Sequence, residues 1–142
     1  MKRINFFSEE VDFDLKNPNI IKKWIKFVIE KESKNFETIN YIFCNDNYLH
    51  QLNVEYLKHD TLTDIITFDY STKENISGDI FISIDRIKEN SEIFNKSSEE
   101  ELHRVIVHGI LHLIGYNDKT IDDKVIMTKK EDEYLMFHVK QK

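Results

Sequence analysis

A chain of 142 residues fits one folded unit, and 40% hydrophobic residues with only three Gly and one Pro supply one core and no long flexible linker. Against 26 Asp plus Glu, 20 Lys plus Arg leave a formal net charge of −6, which excludes a protein that coats nucleic acid through bulk positive charge; any RNA contact must be local. The single cysteine, Cys44, can form neither an internal disulfide nor a thiolate metal site by itself, and residues 1–10 turn acidic before an export signal or membrane span develops. These features predict one domain over residues 1–142 in the cytoplasm, with no membrane association.

In chain order, Ile4 to Phe7 reads as a strand. Asn17-Pro18 then opens a helix that buries Ile21, Trp24, Ile25, Val28 and Ile29. A second strand spans Phe36 to Cys44, and Asn45-Asp46-Asn47 caps a helix from about Tyr48 to Leu57 that buries Leu49, Leu52 and Tyr56. Asp64 to Tyr70 and Asp79 to Ile84 read as strands joined through Ser71 to Gly78. A modest helical pattern follows in Ile87, Ile93 and Phe94. Ser98 with Glu101 forms a capping box for an apolar helix with its body at Leu102 to Ile114, and Gly115 supplies its C-cap. Thr120 with Asp123 caps a last helix carrying Val125, Ile126, Tyr134 and Leu135. Strands first and helices last predict an α+β domain, one sheet covered by helices. The runs Glu99-Glu100-Glu101 and Lys129 to Glu133 read as solvated helix faces.

The chemistry concentrates in the apolar helix. Four residues apart, His108 and His112 project from one face about 6 Å apart along the axis, close enough to share one ion. A satisfied core pair is the alternative, because His-x-x-x-His alone is a weak signal. After Gly115 the chain can fold back, which brings Asp118 in as a third ligand. Two imidazoles and one carboxylate leave a fourth position open, the layout of a catalytic zinc site. His103, five residues from His108, reads as surface. His50, His59 and His138 have no partner at ligand spacing, and Cys44 reads as a small buried hydrophobe. A zinc-peptidase helix would place a glutamate after its first histidine; Gly109 stands there, so peptidase chemistry would require another carboxylate.

The stretch His108-Gly109-Ile110-Leu111-His112-Leu113-Ile114-Gly115-Tyr116 resembles the signature of the YbeY family, bacterial metal-dependent endoribonucleases of ribosomal RNA maturation. Leu52-Asn53 through Tyr56, Thr63 to Phe68, and Gly78 to Ile82 resemble the family's upstream motifs. The resemblance implies a four-stranded mixed sheet with zinc, or another divalent transition metal, held once per chain at the end of the signature helix. It also implies cleavage of single-stranded or ribosomal RNA at phosphodiester bonds, including maturation of the 16S 3′ end and ribosome quality control, and contact with the ribosome or its assembly factors. Three positions depart from the family pattern: Asp118 replaces the usual third histidine, Asn117 stands where an aspartate is common, and Leu57 replaces an arginine that follows the tyrosine of the upstream motif. Lys58, Arg86 and Lys119 are the candidate phosphate contacts. Asp64 and Asp79 are candidates to orient a ligand histidine. A ribosome-assembly binding factor with a structural metal is the competing reading, and a zinc peptidase a lesser one.

Overall fold

β-Branched and aromatic runs form the strands β1 (Arg3–Ser8), β2 (Asn35–Cys44), β3 (Ile65–Asp69) and β4 (Asn75–Ser83). Helices α1 (Pro18–Lys31) and α2 (Asp46–Leu57) lie between the first three strands, and α3 (Ile84–Ile93), α4 (Ser98–Ile114) and α5 (Ile121–Gln141) follow the sheet. This computed structural model describes residues 2–57 and 63–141, with side chains as far as His138. The strand order is β1-β2-β4-β3; β2 runs parallel to β1 and β4, and β3 runs antiparallel to β4. The α+β class and the four-stranded mixed sheet are therefore as expected.

Strand alternation divides the core in two. One face turns Ile39, Tyr41, Phe43, Ile80 and Ile82 toward the main core with α1 and α4. The other turns Cys44, Ile66 and Phe81 toward Leu49 and Leu52 of α2. α4 lies at the centre, touching α1, α3, α5, β3 and β4. Buried polar groups tie these layers together: Tyr41 Oη donates to the Ile106 carbonyl at 2.9 Å, and Trp24 Nε1 donates to the Tyr134 carbonyl at 2.9 Å. Cys44 is a buried hydrophobe as expected, and desolvation first of all pushes its thiol pKa up to about 12. Among the described residues no helix is long and apolar enough to cross a membrane.

Several sequence expectations need correction. β4 begins at Asn75, because Asn75 pairs with Asn35 and the turn closes early through Thr72 N–H to the Asn75 carbonyl at 2.9 Å. The capping box of α4 is Ser97 with Glu100, one residue earlier than predicted. Tyr56 is exposed, since α2 covers the sheet through Leu49. Val125 and Ile126 are also exposed; α5 turns Met127, Glu131, Tyr134 and His138 inward. His103 is buried, not on the surface, with its ring centroid 4.5 Å from His138 and 6.0 Å from Trp24. The reason is that α4 is covered on several sides, so leaving the His108 face does not mean reaching water. Glu101 and Glu131 are likewise buried, although their sequence neighbourhoods suggested solvated faces.

Candidate metal centre

The capping box fixes the start of α4, and Gly115 fixes its end. With φ at 126°, Gly115 occupies backbone that a Cβ would strain, and its N–H reaches the carbonyls of Leu111 and His112, each at 3.1 Å. The chain leaves the helix axis there, and Asp118 returns over the last turn.

Asp118 Oδ2 lies 3.4 Å from His108 Nε2 and 3.4 Å from His112 Nε2. The two imidazole centroids are 4.7 Å apart, and the three donor atoms lie within 4.8 Å of one another. Ligand atoms about 2.1 Å from a tetrahedral ion stand about 3.4 Å from each other, so this spacing fits one ion. Two imidazole nitrogens and a carboxylate oxygen suit zinc and its divalent neighbours. The group His108, His112 and Asp118 could thus hold a metal ion.

The structure adds a residue that the sequence reading missed. Glu131 Oε2 lies 2.6 Å from His108 Nδ1, on the side of the ring away from Asp118. Arg104 holds the other Glu131 oxygen, Nη1 to Oε1 at 2.8 Å, and donates through Nη2 to Asp132 Oδ1 at 2.5 Å. A signal was present: Met127, Glu131, Tyr134 and His138 recur at helical spacing, which puts a carboxylate on an inward stripe.

Electrostatically the centre favours cations. Burial opposes a charged His108, but the Glu131 hydrogen bond and the charges of Glu131, Asp118 and Asp64 outweigh it and raise its pKa. Burial and then the neighbouring His108 lower the pKa of His112. Asp64 is raised by desolvation above all, with His108 opposing and Glu131 and Asp118 adding to the rise. Asp64 thus stands within the field of the centre, while the hydrogen bond to His108 comes from Glu131.

The other candidates fall elsewhere. Asp79 accepts from Asn40 Nδ2 at 3.0 Å; it alternates with Gly78 and Ile80, which face α4, and so lies on the opposite side of the sheet from the histidines. Its expected role in orienting a ligand is corrected. Arg86 is engaged by Asp46, Nε to Oδ1 at 3.0 Å, and by Glu89, outside the donor group. Lys119 is exposed and adjoins Asp118 in the chain. Lys58 and His59 lie outside the described residues. A Cβ on Gly109 would meet Ile80 Cγ2 at 2.8 Å and Ile65 Cδ1 at 3.1 Å. The position next to His108 therefore faces the sheet, and the glycine answers to packing.

The sequence model for "Endoribonuclease YbeY" matches residues 3–138. The chain belongs to the endoribonuclease YbeY family. A Flavobacterium johnsoniae member named Endoribonuclease YbeY is 55% identical over 136 residues, covering 95% of this chain and 98% of the relative. One from Flavobacterium psychrophilum, with the same name, is 52% identical, covering 95% and 97%. The solution structure of a Thermotoga maritima protein superposes with a TM-score of 0.70 at 26% identity, covering 98% of this chain and 91% of that one. The YbeY signature helix is α4, and its closing turn carries Asp118.

Proposed function

We propose that this chain is a zinc-dependent, single-strand-specific endoribonuclease of ribosomal RNA maturation, with one ion held by His108, His112 and Asp118. The observation that carries the reading is the shared 3.4 Å approach of both Nε2 atoms to Asp118 Oδ2. Membership of a family whose relatives are named endoribonucleases supplies the RNA substrate. A divalent ion bound there supplies Lewis-acid polarisation of a phosphoryl oxygen and eases deprotonation of water or of a ribose 2′-hydroxyl.

The protein's own groups do the rest. The imidazoles present nitrogen lone pairs from a rigid helix, and the turn after Gly115 sets Asp118 against them. Asp64, Asp118 and Glu131 gather at the centre and Arg104 offsets the charge of Glu131, so a cation held by the donor group would favour the approach of a phosphodiester. Lys119, exposed and next to Asp118 in the chain, is a candidate to meet a backbone phosphate, and so is Lys58. Single strands suit a site at a helix end because an unstacked backbone can reach it. The chain would act in the cytoplasm on ribosomal RNA, together with the ribosome or its assembly factors. Leu57, where the family pattern carries an arginine, favours a second reading, in which the protein binds during ribosome assembly without cleaving.

Cleavage of a labelled single-stranded RNA decides between them. The purified protein is stripped with chelator, reloaded with zinc and compared with His112→Ala taken through the same purification. Loss on stripping, recovery on reloading, and at least a 100-fold lower rate in His112→Ala are expected. Equal cleavage by the variant, or none by folded zinc-loaded protein, contradicts the nuclease reading.

A further inference from the structure

The metal reading leaves unexplained why a buried carboxylate from another helix meets the ring of His108. Glu131 is 6% exposed, and its Oε2 stands 2.6 Å from His108 Nδ1, while Nε2 of the same ring faces Asp118 Oδ2 at 3.4 Å. The other Glu131 oxygen is held by Arg104, one helical turn before His108, at 2.8 Å, and Arg104 is itself tied to Asp132. With one oxygen fixed by a guanidinium, the carboxylate cannot rotate away from the imidazole. We propose that Glu131 is a positioning residue for metal binding: it accepts the Nδ1 proton of His108 and fixes the tautomer and ring orientation that leave the Nε2 lone pair facing His112 and Asp118.

A neutral imidazole otherwise divides between two tautomers, and the wrong one points an N–H at the ion. Joining α4 to α5 would need only the Arg104–Glu131 ion pair. The second oxygen placed on the ring of His108 makes the same carboxylate part of the donor set's geometry. Arg104 in turn orients Glu131, so two residues of α4 and one of α5 form a single chain from Arg104 to His108.

The inference rests on zinc binding at His108, His112 and Asp118, so the test measures zinc itself. Apo-protein, Glu131→Ala and Glu131→Gln are titrated with zinc against a chromophoric chelator, and the thermal midpoint of each apo form is recorded. Glu131→Ala should bind zinc about 10- to 100-fold more weakly. Glu131→Gln keeps an acceptor for the Nδ1 proton and loses the charge, so it should fall between. A purely structural link predicts lower midpoints with zinc affinity within twofold of the original in both variants, and that result overturns the inference. Should Glu131→Ala fail to fold, Glu131→Gln and the tautomer decide: long-range proton–nitrogen NMR of the unsubstituted apo-protein at alkaline pH should show the His108 proton on Nδ1. A proton on Nε2 overturns the inference. Unsubstituted protein that takes up no zinc at the two histidines would instead overturn the metal reading beneath it.

Discussion

Glu32, just beyond the end of α1, collects Tyr116 Oη at 2.5 Å, Lys130 Nζ at 3.1 Å and Tyr134 Oη on its two oxygens. Tyr116 belongs to the turn that carries Asp118, so Glu32 anchors that turn to α5. Burial works against the ionised form, but the three hydrogen bonds and the Lys130 charge overcome it and hold the Glu32 pKa below the ordinary 4.5. A carboxylate whose folded pKa is depressed stabilises fully above its unfolded pKa and loses that contribution as pH falls through the folded value. Glu32→Gln should therefore lower stability by about 2 kcal/mol at pH 7. In urea melts the gap from the parent should narrow as the pH drops below about 4.5. A gap that does not change with pH would mean that the charge on Glu32 contributes nothing.

The grouping of His108, His112 and Asp118 was legible in the sequence because a helix fixes spacing and a glycine marks where it ends. Glu131 was not, because a carboxylate within Lys129 to Glu133 reads as solvated until a partner on another helix is known. Arg86 shows the converse: a cation near a motif reads as free in the sequence, whereas Asp46 and Glu89 hold it in the fold.

At the scale of elements, the placement of α4 depends on two close approaches to the sheet. At Gly78 a Cβ would stand 2.5 Å from the Phe68 carbonyl oxygen and 2.9 Å from Leu113 Cδ2. At Gly109 it would meet only side-chain ends, of Ile80 and Ile65. The carbonyl cannot retreat without disturbing the β3–β4 ladder, whereas the isoleucine ends can shift. Gly78→Ala should therefore destabilise by about 3 kcal/mol. Gly109→Ala should cost about 1 kcal/mol, because the helix propensity of alanine offsets part of the crowding. Denaturant midpoints with unchanged slopes would check the order, and a larger loss at Gly109 would contradict it. Element type and order were readable from periodicity, which local side-chain chemistry fixes. Boundaries shifted where partners decided them: β4 extends to Asn75 because β2 pairs with it there, and α5 turns Met127 rather than Val125 inward because the facing helices select its buried stripe.

Across the whole molecule, a net charge of −6 and a carboxylate-rich centre mean that the fold itself gives RNA no general attraction. In the proposed function that attraction comes from one ion and a few local cations, on a scaffold whose sheet, α4 and α5 hold the donors in place. It follows that cleavage should track occupancy of a single site. The most direct test is to add zinc stepwise to stripped protein, at a protein concentration well above the dissociation constant, and follow the cleavage rate on single-stranded RNA. The rate should climb linearly and break at about one equivalent per chain, with His112→Ala flat throughout. A rate independent of zinc, or an equal response in His112→Ala, would contradict the account.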